Sequence, residues 1–289
     1  MLDCLFIEGL PGSGKTTFSR RLEEVLSADD IRVKRYSEGD LHPLDLAWIA
    51  IMNEKDYRFY LEKYHDLADK IKAHTIKEDG NYLVAYMKIP LENHHQNFDA
   101  DFGAFEIYRT KDIDAFKKMH LKRWLRFAQT RDPNTLYIFE CVFLQNHINE
   151  LLLNFNLTET EIHVYLNALL STLKPMQSIL YYIEQADVEN RIAFVSEQRK
   201  TNNKALFKDW IDLVIAYIAK QKNAQKMGYT GYEGILAYFK RRQAVEVKLL
   251  PHLKTNTHTV RLTDDYDIPF QEITNHIKNT FTLDDKRRN

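Results

Sequence analysis

Cysteine is scarce: the 289-residue chain carries two, Cys4 and Cys141. Each sits inside an apolar run that reads as a buried strand, so no disulfide framework is indicated and a reducing interior is expected. Long apolar runs are missing as well, since none approaches the roughly 20 residues that a membrane-crossing helix needs. The first residues do not read as a basic region followed by a cleavable apolar segment, and a cytoplasmic protein is the expectation. No charge of one sign dominates, the formal net charge being −1. Nothing in that balance calls for nucleic acid or a membrane surface as the main partner. Internal repeats and low-complexity stretches are absent too. Hydrophobic residues make up 44% of the chain and charged ones 28%, both near globular averages, which argues against wholesale disorder. The length suits a single α/β core carrying insertions.

What is present begins at the second residue. An apolar run, Leu2 to Ile7, leads into Gly9-Leu10-Pro11-Gly12-Ser13-Gly14-Lys15-Thr16-Thr17 and then into a helical pattern over residues 18–26. Gly9, Gly12 and Gly14 permit the backbone angles that turn successive N–H groups around a phosphate, and the helix behind them points its positive end at the same place. Lys15 can reach β- and γ-phosphates, and the Thr16 hydroxyl can ligate magnesium. Pro11 and Ser13 complete the loop, with Thr17 as a neighbouring hydroxyl.

The second strand, residues 31–36, arrives after one helix, so the opening is a βαβ unit and the sheet is parallel. Residues 136–144, 178–183 and 257–262 read as strands three, four and five. Between strands two and three, residues 41–134 read as mostly helical, with helices at 43–52, 54–76 and 112–129 and an ambiguous segment at 82–89. No second strand-rich core is expected there, and the insertion's role would be to wall a pocket. Further helices are expected at 159–173, 188–198, 205–222, 233–250 and 269–281, and residues 284–289 form a charged tail.

Several residues lie where chemistry could be done. Glu38 and Asp40 follow the second strand directly, at the sheet edge where open α/β sheets bind ligands. Glu140 interrupts an apolar strand, and burying a carboxylate without a partner there would cost several kcal/mol, on the order of the desolvation penalty of a charge. Arg191 and Arg199 fall on nearly the same helical face, and Arg199 heads a basic turn with Lys200 and Lys204.

This series resembles the P-loop kinases of the nucleotide-kinase type, such as thymidylate kinase, deoxynucleoside kinases and small-molecule phosphotransferases. The likeness is strongest in the Gly9-to-Thr17 loop. It continues through an acidic residue after strand two, another in strand three, and a strand-Asp-helix-Arg series over 181–199. It implies a three-layer α/β fold for residues 1–289, with a five-stranded parallel sheet in the order 2-3-1-4-5. Residues 41–134 would then be the acceptor-side insertion and 199–250 a helical lid. ATP or GTP would bind with Mg2+, which Thr16 and Glu140 would hold directly or through water. Thr17 would contact the α-phosphate, Glu38 or Asp40 would accept the acceptor's proton, and Arg191 or Arg199 would be the lid arginine. One departure is plain: many relatives place Asp-Arg where this chain has Glu140-Cys141, with Gln145 further on. Either Glu140 does the metal work alone or the anchoring arginine comes from elsewhere.

Plainer readings compete at each position. Residues 37–40 also suit a polar turn whose carboxylates cap the next helix, and His42 suits a solvated or capping side chain. Arg191 and Arg199 also suit a solvated helical face, and Arg241 and Arg242 read as surface charge unless their helix folds over the site. The aromatic residues of the insertion could stack a planar ring, although aromatics at helical spacing more often form a core. His65, His94 and His95 lack a third ligand at metal-binding spacing, so no zinc site is expected. The leading expectation is ATP-dependent phosphoryl transfer to a small acceptor, a nucleoside or nucleotide first and an antibiotic-type molecule second. A nucleotide-dependent switch or slow NTPase acting through a protein partner is the alternative class, and a homodimer is left open.

Overall fold

In a computed structural model of the chain, residues 2–91, 95, 97–202, 208–262 and 265–286 are described, with side chains up to 280. The expected helix start at 205 and the residues Lys204, His94 and Asp264 lie outside them. Strand β1 (Leu2–Gly9) is almost wholly buried, as only a central strand covered on both faces can be. Helix α1 (Lys15–Ala28) follows, and β2 (Val33–Tyr36) completes the βαβ opening.

The chain divides into two compact units, Met1–Tyr36 with Ala128–Asn289, and Ser37–Phe127. The second contains β3 (Ala50–Met52), α2 (Glu54–Lys63), α3 (Ala68–Ala73), β4 (Thr75–Glu78), β5 (Asn81–Val84), α4 (Phe98–Gly103) and most of α5 (Ile113–Thr130). Its three strands form an antiparallel sheet in the order β3-β5-β4. A core of Tyr57, Tyr64, Ile71, Tyr86, Phe98 and Phe102 packs around that sheet and its helices.

The reading of 41–134 as mostly helical and free of a strand core is therefore corrected. The helix expected over 43–52 is broken by Trp48, whose φ is 63°, and Ala50–Met52 is drawn into pairing with β5. The helix expected over 54–76 is broken after Lys63 by a 3-10 turn at His65–Leu67, and its second part stops at Ala73, because β4 and β5 close a hairpin through Asp79 and Gly80, at φ 51° and 80°. Asp-Gly at that position is a strong hairpin signal, and the helical periodicity before it masked the signal.

In the first unit, β6 (Leu136–Glu140), α6 (Gln145–Leu153), α7 (Glu159–Thr172), β7 (Gln177–Gln185), α8 (Val188–Gln198), α9 (Trp210–Ala219), α10 (Lys222–Lys226), α11 (Gly231–Leu249), β8 (Asn256–Leu262) and α12 (Asp267–Lys286) follow in turn. The five-stranded sheet runs β2-β6-β1-β7-β8, parallel throughout. In whole-chain numbering this differs from 2-3-1-4-5 because β3, β4 and β5 intervene. Counted within this sheet alone, β6, β7 and β8 are its third, fourth and fifth strands.

One face of the sheet, through Leu5 and Ile7, packs on Phe18, Leu22 and Leu26 of α1 and Ile273 and Ile277 of α12. Leu10 and Leu153 join buried residues of α8, α9, α10 and α11 in a separate cluster. Two further readings need correction. The strand expected over 136–144 ends at Glu140, since Cys141, at φ 66°, turns the chain toward α6. The lid reading of 199–250 fails for its last helix: Ile235, Leu236, Tyr238, Phe239, Val245 and Leu249 of α11 are buried core residues. Among the described residues no helix is long and apolar enough to cross a membrane.

Candidate functional site

Backbone carbonyls repel phosphate, so a loop that holds one must turn its carbonyls away and give them other partners. From Gly9 to Gly12 every carbonyl is taken by a side chain. Lys15 Nζ donates to Gly9 O and Leu10 O, each at 2.9 Å. Gln185 Nε2 donates to Pro11 O at 2.8 Å, and Arg191 Nε to Gly12 O at 2.8 Å. Gly14, at φ 85°, is the N-cap of α1, and no side chain caps the helix, nor is any acid present in its first turn. The first-turn N–H groups thus keep their donor capacity beside the positive end of the helix dipole. An ammonium has three donors, so Lys15 has one left for a ligand.

Close packing fixes the loop's path. A Cβ on Gly12, at φ 81°, would lie 2.3 Å from Val195 Cγ2 of α8. One on Gly9 would lie 2.6 Å from Ile183 O and 2.9 Å from Ser13 Oγ. Only glycine allows both the angle and the approach at these places.

Thr16 Oγ1 donates to Glu140 Oε1, and Ser19 Oγ lies 3.3 Å from Glu140 Oε2. Register explains the meeting: Glu140 pairs with Ile7 at the carboxyl ends of β6 and β1, from which the loop and α1 depart. Glu140 is 5% exposed, and its carboxylate takes the Thr16 and Ser19 hydroxyls as partners. Hydroxyl and carboxylate oxygens are hard ligands of the kind magnesium takes, and the pair fits that ion chemically. Thr17 is half-buried in the first turn of α1.

The two arginines of α8 separate. Arg191 grips Gly12 and lies with its guanidinium 5.1 Å from the centre of the Tyr266 ring. Arg199 is exposed, 5.2 Å from the centre of the Trp210 ring. Glu38 and Asp40 belong to the second unit. Trp48 Nε1 donates to Glu38 at 3.2 Å. Asp40 accepts from Ser37 N at 2.7 Å and pairs with Lys88 at 2.9 Å, so it closes a polar turn, but no helix follows directly for it to cap. His42 is buried rather than solvated, and its Nδ1 accepts from Leu44 N at 3.0 Å and Asp45 N at 3.2 Å. Burial holds its pKa down at about 3. Most of the insertion's aromatic rings are core: Tyr57, Tyr64, Tyr86, Phe102, Tyr108 and Trp124 are buried, whereas Phe59 is exposed. His95 pairs with Asp66 at 2.8 Å.

Three residues that sequence reasoning missed lie at the loop's root. Glu8 is fully buried, and its two oxygens accept from Phe143 N at 2.7 Å and Gln145 N at 3.1 Å. Burial pushes its pKa up to about 7, against the pull of those two N–H groups. Arg242, which reads as surface charge in the sequence, is 1% exposed and donates to Gly9 O at 3.2 Å. Its partner Glu246 is fully buried at 2.8 Å. The signals were available: Glu8 is a charge in an apolar strand, like Glu140. Arg242 and Glu246 stand four apart on the stripe of α11 that carries its buried apolar residues.

A five-stranded parallel sheet with helices and this loop at the end of β1 is consistent with a P-loop kinase. One curated relative is the adenylate kinase isoenzyme 6 homolog of Plasmodium falciparum (isolate 3D7), 26% identical over 215 residues, covering 74% of this chain and 96% of that protein. The likeness supports a P-loop protein of the nucleotide-kinase type and phosphoryl transfer in general. No protein-family model matches the chain.

Proposed function

We propose that this protein transfers the terminal phosphoryl group of ATP or GTP to a small acceptor, with a nucleoside or nucleotide the first choice. The observation that carries the reading is the loop in which each carbonyl from Gly9 to Gly12 is engaged by a side chain while the first turn of α1 keeps its donors. The relative's name, an adenylate kinase homolog, supports a nucleotide as acceptor.

Phosphoryl transfer asks for positioning and charge neutralisation. Gly9, Pro11, Gly12, Ser13, Gly14 and Thr17 would wrap the phosphates, and Lys15 would meet the β- and γ-oxygens. Thr16 and Glu140 would hold magnesium, which when bound neutralises charge on the phosphate oxygens. Arg191 would steady the loop, and Arg199 is the candidate for charge on the moving phosphoryl. For the proton of the acceptor hydroxyl the candidates are Glu38, which accepts from Trp48, and Asp40, which is engaged with Lys88 and Ser37.

The test is ADP release across a panel of nucleosides, nucleotides and other hydroxyl-bearing metabolites, run for wild type and Lys15→Ala. Acceptor-stimulated release that vanishes in Lys15→Ala supports the reading. Full activity in that variant overturns it, and slow release that no acceptor changes favours a nucleotide-dependent switch.

A further inference from the structure

Two cations reach the same carbonyl. Gly9 O accepts from Lys15 Nζ at 2.9 Å and from Arg242 Nη2 at 3.2 Å. Arg242 is anchored from behind by Glu246 Oε1 at 2.8 Å and Asn149 Oδ1 at 3.1 Å, and Tyr182 donates to Glu246 Oε2 at 2.6 Å. Replacing a buried ion pair by apolar side chains of similar volume is often neutral or stabilising, and the rest of this helix face is apolar. Stability alone gives no reason for the pair.

The loop supplies one. To meet both a β- and a γ-phosphate oxygen with three donors, Lys15 must give up at least one of the two carbonyls that it now holds. Leu10 O would keep Ser13 N at 3.2 Å. Gly9 O, buried at the root of the loop, would keep Arg242 as its donor. We propose that Arg242 is a positioning residue that releases Lys15: it holds the Gly9 carbonyl as the lysine moves to phosphate, so that no buried acceptor is left unpaired. This rests on the reading of the loop as a nucleotide site. Losing a partner for a buried polar group is costly, so without Arg242 the lysine stays on the loop and nucleotide affinity falls on the order of 10-fold.

The experiment measures MgATP affinity by calorimetry in wild type and in Arg242→Met/Glu246→Gln, a double substitution that strands neither charge, and repeats the pair in a Lys15→Ala background at millimolar ATP. The expected result is a loss on the order of 10-fold with lysine present and less than about twofold without it. Arg242→Lys keeps a cation opposite Glu246 but cannot fork to both Asn149 and Gly9, so it carries the same comparison if the double variant does not fold. Unchanged affinity in the pair, or an equal loss in both backgrounds, overturns the proposal. Wild type that binds no ATP overturns the nucleotide reading itself and the inference with it.

Discussion

The Thr16 hydroxyl donates to the Glu140 carboxylate across 124 residues of sequence. Parallel register brings them together, since Glu140 stands beside Ile7 and the loop leaves β1 two residues later. Glu140→Gln keeps the shape and an acceptor for Thr16 but removes the charge that a divalent ion needs. It is expected to cut magnesium-dependent turnover roughly 10- to 100-fold while ATP binding measured in EDTA stays near wild type. Equal turnover at low magnesium would remove Glu140 from the metal role.

Gly12 and Gly80 share nearly the same φ, 81° and 80°, yet a Cβ on Gly12 would strike Val195 while one on Gly80 meets nothing within 4 Å. Gly80→Ala is therefore expected to cost only the left-handed backbone penalty, about 1 to 2 kcal/mol. Gly12→Ala adds the clash and displaces either α8 or the loop, so ATP binding should be lost as well as stability. Urea unfolding and ATP titration of the two variants side by side separate the terms. Retained ATP affinity in Gly12→Ala would show that the loop tolerates a different path.

Glu8 and His42 shape the pH dependence in opposite directions. Glu8's pKa is raised to about 7 from an ordinary 4.5, so the unfolded chain holds fewer protons than the fold between those values. Stability from this group is full below about pH 4.5 and is lost as pH rises through 7, by on the order of 3 kcal/mol at most. His42's pKa is lowered to about 3 from 6.5, so its contribution is present above 6.5 and is lost as pH falls toward 3. Glu8→Gln should unfold at lower urea throughout, because its amide faces a backbone N–H, but with the decline between pH 5 and 7.5 flattened. An unchanged slope would assign that decline to another group.

The loop was legible because its information is local: glycines at fixed spacing, a lysine, a threonine, and strand and helix on either side. The strands and most helices of the first unit were legible for the same reason, α8 to the residue, whereas α6 had no counterpart in the reading. Arg242 was not, because its acceptor lies 233 residues away and its meaning depends on α11 burying the face that carries it. The strands of the second unit were hidden by a conflict between levels. Residues 43–52 and 74–76 carry apolar spacings that suit a helix, and pairing with β5 overrides that local preference.

Arg191 and Arg199 sit on one helix and should part company in kinetics. Arg191 holds the Gly12 carbonyl, an interaction independent of the reaction's progress, so Arg191→Met is expected to weaken ATP binding and raise KM with a smaller change in kcat. Arg199 holds no loop atom and is exposed beside Trp210. If it serves the moving phosphoryl, Arg199→Met leaves ATP affinity intact and lowers kcat and kcat/KM together, on the order of 100-fold or more. Steady-state kinetics with an identified acceptor, alongside direct ATP binding, distinguishes the two. A silent Arg199→Met would leave its cation as a surface partner of Trp210 and pass the charge-stabilising role to Lys15 and Arg191.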